Sequence, residues 1–192
     1  VAVLLLVACS PGGGQSPTPV KSSGEGPSPS ITAAPTPSPT PSASVAPSAP
    51  ASFPADLPTG DAESAAIIEG WQAYWRVYEK FAADPSLTDL TETQYVTTGE
   101  EANGILDAIA SIRQSGLRSE GGFVFRDIVV DVTEEGKAKL DYCIDLASVR
   151  VVRVDSGEPF PRSGTLLEHA RLERGLDNIW RVAQIRNEQV QC

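Results

Sequence analysis

DAESAAIIEGWQAYWRVYEKFAAD, residues 61–84, is the stretch from which the fold is read. Ile67, Trp71, Tyr74, Tyr78 and Phe81 recur at the three- and four-residue spacing of one helix face, with Ile68, Trp75 and Ala82 beside them. Glu63, Glu69, Glu79 and Lys80 supply polar positions. Asp61 has a side-chain oxygen able to cap the first turn, and Pro85 stops the helix after Asp84. The spacing predicts a helix over 61–84. Core packing is the first explanation of its aromatic stripe. Because Trp and Tyr combine an apolar body with a polar tip, part of the stripe also suits the wall of a ligand pocket.

Downstream, residues 86–97 read as a short helix or loop. Thr98-Gly99-Glu100-Glu101 has the capping-box pattern, Thr followed three residues later by Glu, and opens a second helix. Ala102, Ile105, Ile109 and Ile112 form its apolar face, and it ends at Gly116. Glu100 and Glu101 in its first turn and Arg113 in its last suit the helix dipole. After Gly121-Gly122 the period changes to two. Ile128, Val130 and Val132 alternate with Asp127 and Asp131; after a turn at Glu134-Glu135-Gly136, Ala138, Leu140, Tyr142 and Ile144 alternate with Lys139, Asp141, Cys143 and Asp145. Cys143 is thereby placed on the face opposite Tyr142. Further strands are expected over 149–154, 165–173 and 179–190. Helices first and antiparallel strands second define the α+β class, with a curled sheet packing one face on the long helix.

Upstream the composition shifts. Thirteen of the 16 prolines lie between Pro11 and Pro58, among Ser, Thr and Ala, and residues 10–60 carry only Lys21, Glu25 and Asp56 as charges. Such a segment buries too little apolar surface to offset its chain entropy, so residues 10–60 are expected to be a disordered linker biased toward extended conformations. The organisation is thus 1–9, a processing segment; 10–60, the linker; and 61–192, one α+β domain. The net charge of −10 arises mainly from residues 61–107, where ten acids face Arg76 and Lys80. The later basic residues are interleaved with acids. Nucleic acid is therefore excluded as a partner, since phosphate binding requires uncompensated Lys and Arg.

Val1–Ala8 is apolar and ends in small residues before Cys9, with Ser10-Pro11-Gly12-Gly13-Gly14 following. Eight residues are too few to span a bilayer, which takes roughly 20. The chain contains no Met, and Val1–Ala8 is expected to be the remnant of a signal peptide. Leu6-Val7-Ala8-Cys9 resembles the lipobox of bacterial lipoproteins at all four positions. That resemblance implies a lipid on Cys9, the membrane as a partner, and a location on the extracytoplasmic face of the cell membrane; an ordinary secretory signal is the alternative. Cys143 and Cys192 then remain as an even pair in a compartment where disulfides persist, and are expected to be joined. Zinc would call for closely spaced Cys and His, and the only histidine is His169.

The order of elements carries a second resemblance. Tyr74, Trp75 and Tyr78 on the long helix, Thr97-Thr98-Gly99 before the next, Leu140-Asp141-Tyr142-Cys143-Ile144-Asp145 on a middle strand, Trp180-Arg181-Val182 on the last and a terminal cysteine occur in sequence. Residues 61–192 resemble the nuclear-transport-factor-2-like (ketosteroid-isomerase-like) superfamily, and more narrowly the small lipoproteins of high-GC Gram-positive bacteria that carry such a domain on a Pro/Ser-rich tether. The resemblance implies a cone-shaped fold with helices in the mouth of a strongly curved sheet, and homodimerisation through its outer face is common in the superfamily. Its enzymes place an Asp or His base and a Tyr or Asp donor inside the cone. His169 instead shares a face with Thr165, Leu167 and Arg171, opposite the more apolar Leu166, Ala170 and Leu172, while Asp141 and Asp145 lie opposite Tyr142 and Ile144. No nucleophile elbow, phosphate loop or paired-histidine signature is present.

No catalytic residue, metal or cofactor is therefore assigned. The chain reads as a membrane-anchored, non-catalytic domain that binds a small apolar ligand, a lipid or an envelope protein. Pocket candidates are Trp71, Tyr74, Trp75, Tyr78, Tyr142 and Trp180, with Arg113 either at the cavity mouth or in a helix-end salt bridge. A small-molecule isomerase, cyclase or hydrolase is the alternative. Replacing Cys9 by Ser is predicted to abolish labelling by a radioactive fatty acid and to release the protein or leave an uncleaved precursor; unchanged labelling would refute the lipobox reading.

Overall fold

The computed structural model describes residues 53–192; the lipobox, Cys9 and residues 10–52 of the linker lie outside the described residues. Helix α1 spans Ala62–Ala83 and starts as the sequence predicts. Asp61 Oδ1 accepts hydrogen bonds from the backbone N–H of Glu63 (3.0 Å) and Ser64 (2.8 Å). The predicted apolar face is the buried one, with Ile67 and Trp71 wholly out of solvent. A 3-10 turn at Thr91–Tyr95 occupies the stretch read as a short helix or loop.

Helix α2, Glu101–Gln114, forms without the expected capping box: no side chain caps its first turn. Glu101 instead points into the protein, accepting from the Tyr74 hydroxyl at 2.7 Å and from the Ile185 N–H at 3.0 Å. Its carboxylate is taken by tertiary partners. The neighbouring Glu100 bonds Gln184.

Seven strands follow: β1 Leu117–Glu120, β2 Phe125–Glu134, β3 Lys137–Asp145, β4 Arg150–Arg153, β5 Pro159–Phe160, β6 Thr165–Arg174 and β7 Trp180–Glu188. The α+β class is as expected: two helices pack on antiparallel strands. The strands form two sheets where one was predicted, a four-stranded sheet in the order β2-β3-β6-β7 and a three-stranded one in the order β1-β4-β5. Strands β1 and β5 were not anticipated because four and two residues are too few to display a period. The linker boundary also moves. Phe53 and Leu57 pack against the core, and the Phe53 ring stacks on Phe125 at 5.3 Å and meets Trp71 edge-on at 5.2 Å. Their Pro- and Ala-rich surroundings had placed them in the tether, yet they are the bulky apolar residues there and gain from burial.

Alternation positions the interior. Ala138, Leu140, Tyr142 and Ile144 of β3 face the core, paired across the ladder with Leu172, Ala170, Glu168 and Leu166 of β6. On the opposite face Cys143 is bonded to Cys192, as predicted, with Cα atoms 5.9 Å apart. Joining residues 49 positions apart stabilises the fold by about 4 kcal/mol in the chain-entropy picture. It also holds the C-terminus, where the Cys192 N–H donates to Thr165 Oγ1 at 3.1 Å.

Helix α1 seats against β7 through Gly70, where a Cβ would lie 2.4 Å from the Trp180 carbonyl oxygen. Alanine is the better helix former by about 1 kcal/mol, whereas forcing a methyl group against backbone costs about 1–3 kcal/mol. Because the obstructing atom is main-chain, the second effect governs. Gly70→Ala is predicted to lower unfolding free energy in urea titrations; a gain would show that α1 can lift away from β7 freely.

Candidate functional site

The inward parity of β3 and β6 brings a phenol and a carboxyl together inside the protein. The Tyr142 hydroxyl donates to Glu168 Oε2 at 2.6 Å and accepts from Trp75 Nε1 at 3.3 Å. Tyr142 is fully buried and Glu168 nearly so. Loss of water pushes the Glu168 pKa up from the ordinary carboxyl value to about 7; the Tyr142 bond opposes this rise and the charge of Glu101 adds to it. Burial, and then Glu168, pushes the Tyr142 phenol well above its usual range, so it remains a proton donor.

A second Tyr–Glu pair stands nearby. Burial raises the pKa of Glu101, the Tyr74 and Ile185 hydrogen bonds pull it down, and Glu100 adds to the rise. Burial, followed by the charge of Glu101, raises that of Tyr74. Both carboxyls border one cavity of about 320 Å³, whose aromatic wall is Tyr74, Trp75, Tyr78 and Phe123 and whose lining includes Ile144, Leu166 and Arg162. Trp75 meets Tyr74 and Tyr78 edge-on at 5.5 Å each and lies 4.9 Å from Phe123.

Of the predicted pocket residues, Tyr74, Trp75 and Tyr78 line this cavity. Trp71 does not: it is core, in edge contact with Phe125 at 4.9 Å and Tyr142 at 5.1 Å. Tyr142 is likewise core and reaches the site only through the carboxyl it holds. Among the described residues Arg113 neither lines the cavity nor forms a salt bridge. Its Nη2 donates to the carbonyls of Phe81 (3.1 Å), Asp84 (3.4 Å) and Leu87 (2.9 Å), because the last carbonyls of a helix need donors from outside it. Trp180 borders a separate surface groove with Ala62 and Ala66, beneath the Arg174 guanidinium at 5.6 Å. His169 is half exposed on the outer face, its Nδ1 2.6 Å from Asp141 Oδ1. Among the described residues no cluster of three or more His, Cys, Asp or Glu is arranged to hold a metal.

Glu168, Glu101, Phe123 and Arg162 were missed. Glu168 shares its parity with Leu166, Ala170 and Leu172, so the alternation already placed it inside. Its charge argued the other way, and no pattern in the sequence shows that Tyr142 stands opposite to receive it.

No protein-family model matches the chain, and no curated protein matches it. Among solved structures it is similar to a ketosteroid isomerase-like protein from Erwinia carotovora atroseptica, at 14% identity over 69% of this chain and 99% of that one, with a TM-score of 0.46. It is similar also to CagV, a VirB8 homolog from Helicobacter pylori, at 15% identity over 66% and 99%, TM-score 0.44. A third is ActVI-ORFA from Streptomyces coelicolor, at 12% identity over 67% and 96%, TM-score 0.42. These are likenesses of chain fold and carry nothing about activity.

The raised Glu168 pKa has a definite sign. The folded state binds its proton more tightly than the unfolded chain does, so the associated stability is complete below the ordinary carboxyl pKa of 4.5 and is lost as pH rises through about 7. The amount is about 3 kcal/mol, and Glu101 acts in the same direction. Unfolding free energy is therefore predicted to fall between pH 5 and pH 8.5, with Glu168→Gln removing most of the slope. A slope unchanged in that variant would place the titrating group elsewhere.

Proposed function

We propose that the chain is an extracytoplasmic lipoprotein held to the membrane through Cys9, whose domain binds a small, largely apolar molecule without transforming it. The observation that carries the binding reading is the cavity: four aromatic side chains surround a space of small-molecule size, into which Glu168 presents a carboxyl. Tyr142 occupies Glu168 Oε2, and among the described residues the other oxygen has no protein partner. A ligand thus meets a largely aromatic wall, with Glu168 offering it a polar anchor. The anchoring reading is supported by Leu6-Val7-Ala8-Cys9 and by the Cys143–Cys192 disulfide, which suits an oxidising compartment. Among the described residues no helix is long and apolar enough to cross a membrane.

A second reading, a small-molecule isomerase, cyclase or hydrolase, is favoured by Glu168 itself. A carboxyl that titrates near 7 beside a cavity has the proton affinity of a general acid or base at neutral pH. Native mass spectrometry of the full chain, extracted from its own membranes, separates the two. Carriage predicts a bound small molecule, lost on Trp75→Ala, whose mass is unchanged after incubation. Conversion to a different mass by the parent but not by Glu168→Gln would select the enzyme, and an empty protein would count against both. The same spectra read whether two copies associate.

A further inference from the structure

The strongest unexplained feature of the cavity is charge. Two carboxyls border it, and their hydrogen-bond partners are the phenols of Tyr74 and Tyr142 and the backbone N–H of Ile185, all uncharged. Buried carboxylates are ordinarily paired with a cation, because the loss of hydration is otherwise uncompensated. Among the described residues Arg162 is the single cation lining the cavity; it sits on an exposed loop and forms no salt bridge with either carboxyl there. The remaining wall is aromatic, and ring faces attract cations within about 6 Å of their centroids.

Resting on the reading of this cavity as a ligand site, we propose that its ligand is an organic ammonium ion, the charged nitrogen set between Glu168 and Glu101 and the apolar body against Trp75, Tyr78 and Phe123. An anion would meet two carboxyls against one arginine. A neutral molecule would leave the aromatic wall and both acids without their best partner. A cation supplies the missing counter-charge and leaves the Tyr142 bond in place, since that bond holds only one Glu168 oxygen; the Glu101 oxygens already accept from Tyr74 and the Ile185 N–H, and Glu101 contributes its charge.

Binding then carries a proton signature. The charged and titratable groups facing Glu168 are Glu101 from α2, Tyr74 and Tyr78 from α1, Tyr142 from β3 and Arg162 from the loop after β5. Burial pushes the Glu168 pKa up to about 7 and raises that of Glu101 as well. An ammonium ion favours the ionised form of Glu168, so occupancy expels a proton and affinity rises with pH.

Isothermal titration of the full chain with phenethylamine, 2-phenylethanol and phenylacetate tests this, because the three share one body and differ in charge. The amine is expected to bind at least tenfold more tightly than the alcohol at pH 8, and phenylacetate more weakly than either. Between pH 8 and pH 6 the amine affinity should fall roughly tenfold, as one group titrating near 7 requires. Glu168→Gln should abolish both the preference for the amine over the alcohol and most of the pH dependence of amine binding, and Glu101→Gln should weaken the preference. Equal binding of amine and alcohol would overturn the assignment of charge and leave the ligand site standing. Binding of none of the three would overturn both.

Discussion

The buried phenol of Tyr142 is the constraint on which the interior depends. A hydroxyl left without a partner in a core costs about 1–3 kcal/mol, and Tyr142 has no access to water. Its acceptor has to come from the strand alongside. The β3–β6 register sets Glu168 directly opposite, and Trp75 supplies a donor from above. One oxygen atom thereby ties α1, β3 and β6 together. Its satisfaction brings a carboxyl inside that solvation alone would keep at the surface.

The second Tyr–Glu pair does the same for the other helix. Glu101 joins the Tyr74 hydroxyl of α1 to the Ile185 N–H of β7, so the first turn of α2 is fixed by tertiary bonds in place of a cap. Between these two ties the aromatic side chains of α1 do not all reach the sheet. Trp71 does, against Phe125 and Tyr142, and so does Trp75, which lies 5.1 Å from the Phe125 ring and donates to the Tyr142 hydroxyl; on their other side Tyr74, Trp75 and Tyr78 leave space beside Phe123. Core and cavity are thus the two ends of one aromatic stripe, and the carboxyls stand where packing gives way to open volume.

Helix α1 was legible because its apolar spacing, its Asp61 cap and Pro85 agree, and β3 was legible because its alternation is unbroken. The disulfide followed from parity and the expected compartment. What escaped the sequence was relational. Arg113 looks like a cavity or ion-pair residue until the Phe81 and Asp84 carbonyls at the end of α1 are seen to need it. Thr98 and Glu101 have the spacing of a capping box, and only the nearness of Tyr74 and Ile185 diverts the glutamate. Glu168 was the costliest omission. Period two put it inside, and a general expectation about charge put it outside; local periodicity was the better guide because a partner existed to receive it.

Stability alone does not account for the pair that results. Replacing a buried polar or ionic pair with apolar residues of similar volume is often neutral or stabilising, whereas removing one partner is costly. A Phe at 142 and a Leu at 168 would pack the same two strands without a carboxyl that resists losing its proton until about pH 7. The core therefore gains nothing from Glu168 that simpler residues would not supply. Tyr142 is best understood as the support of Glu168: it holds one carboxyl oxygen from the dry side of a residue that borders the cavity.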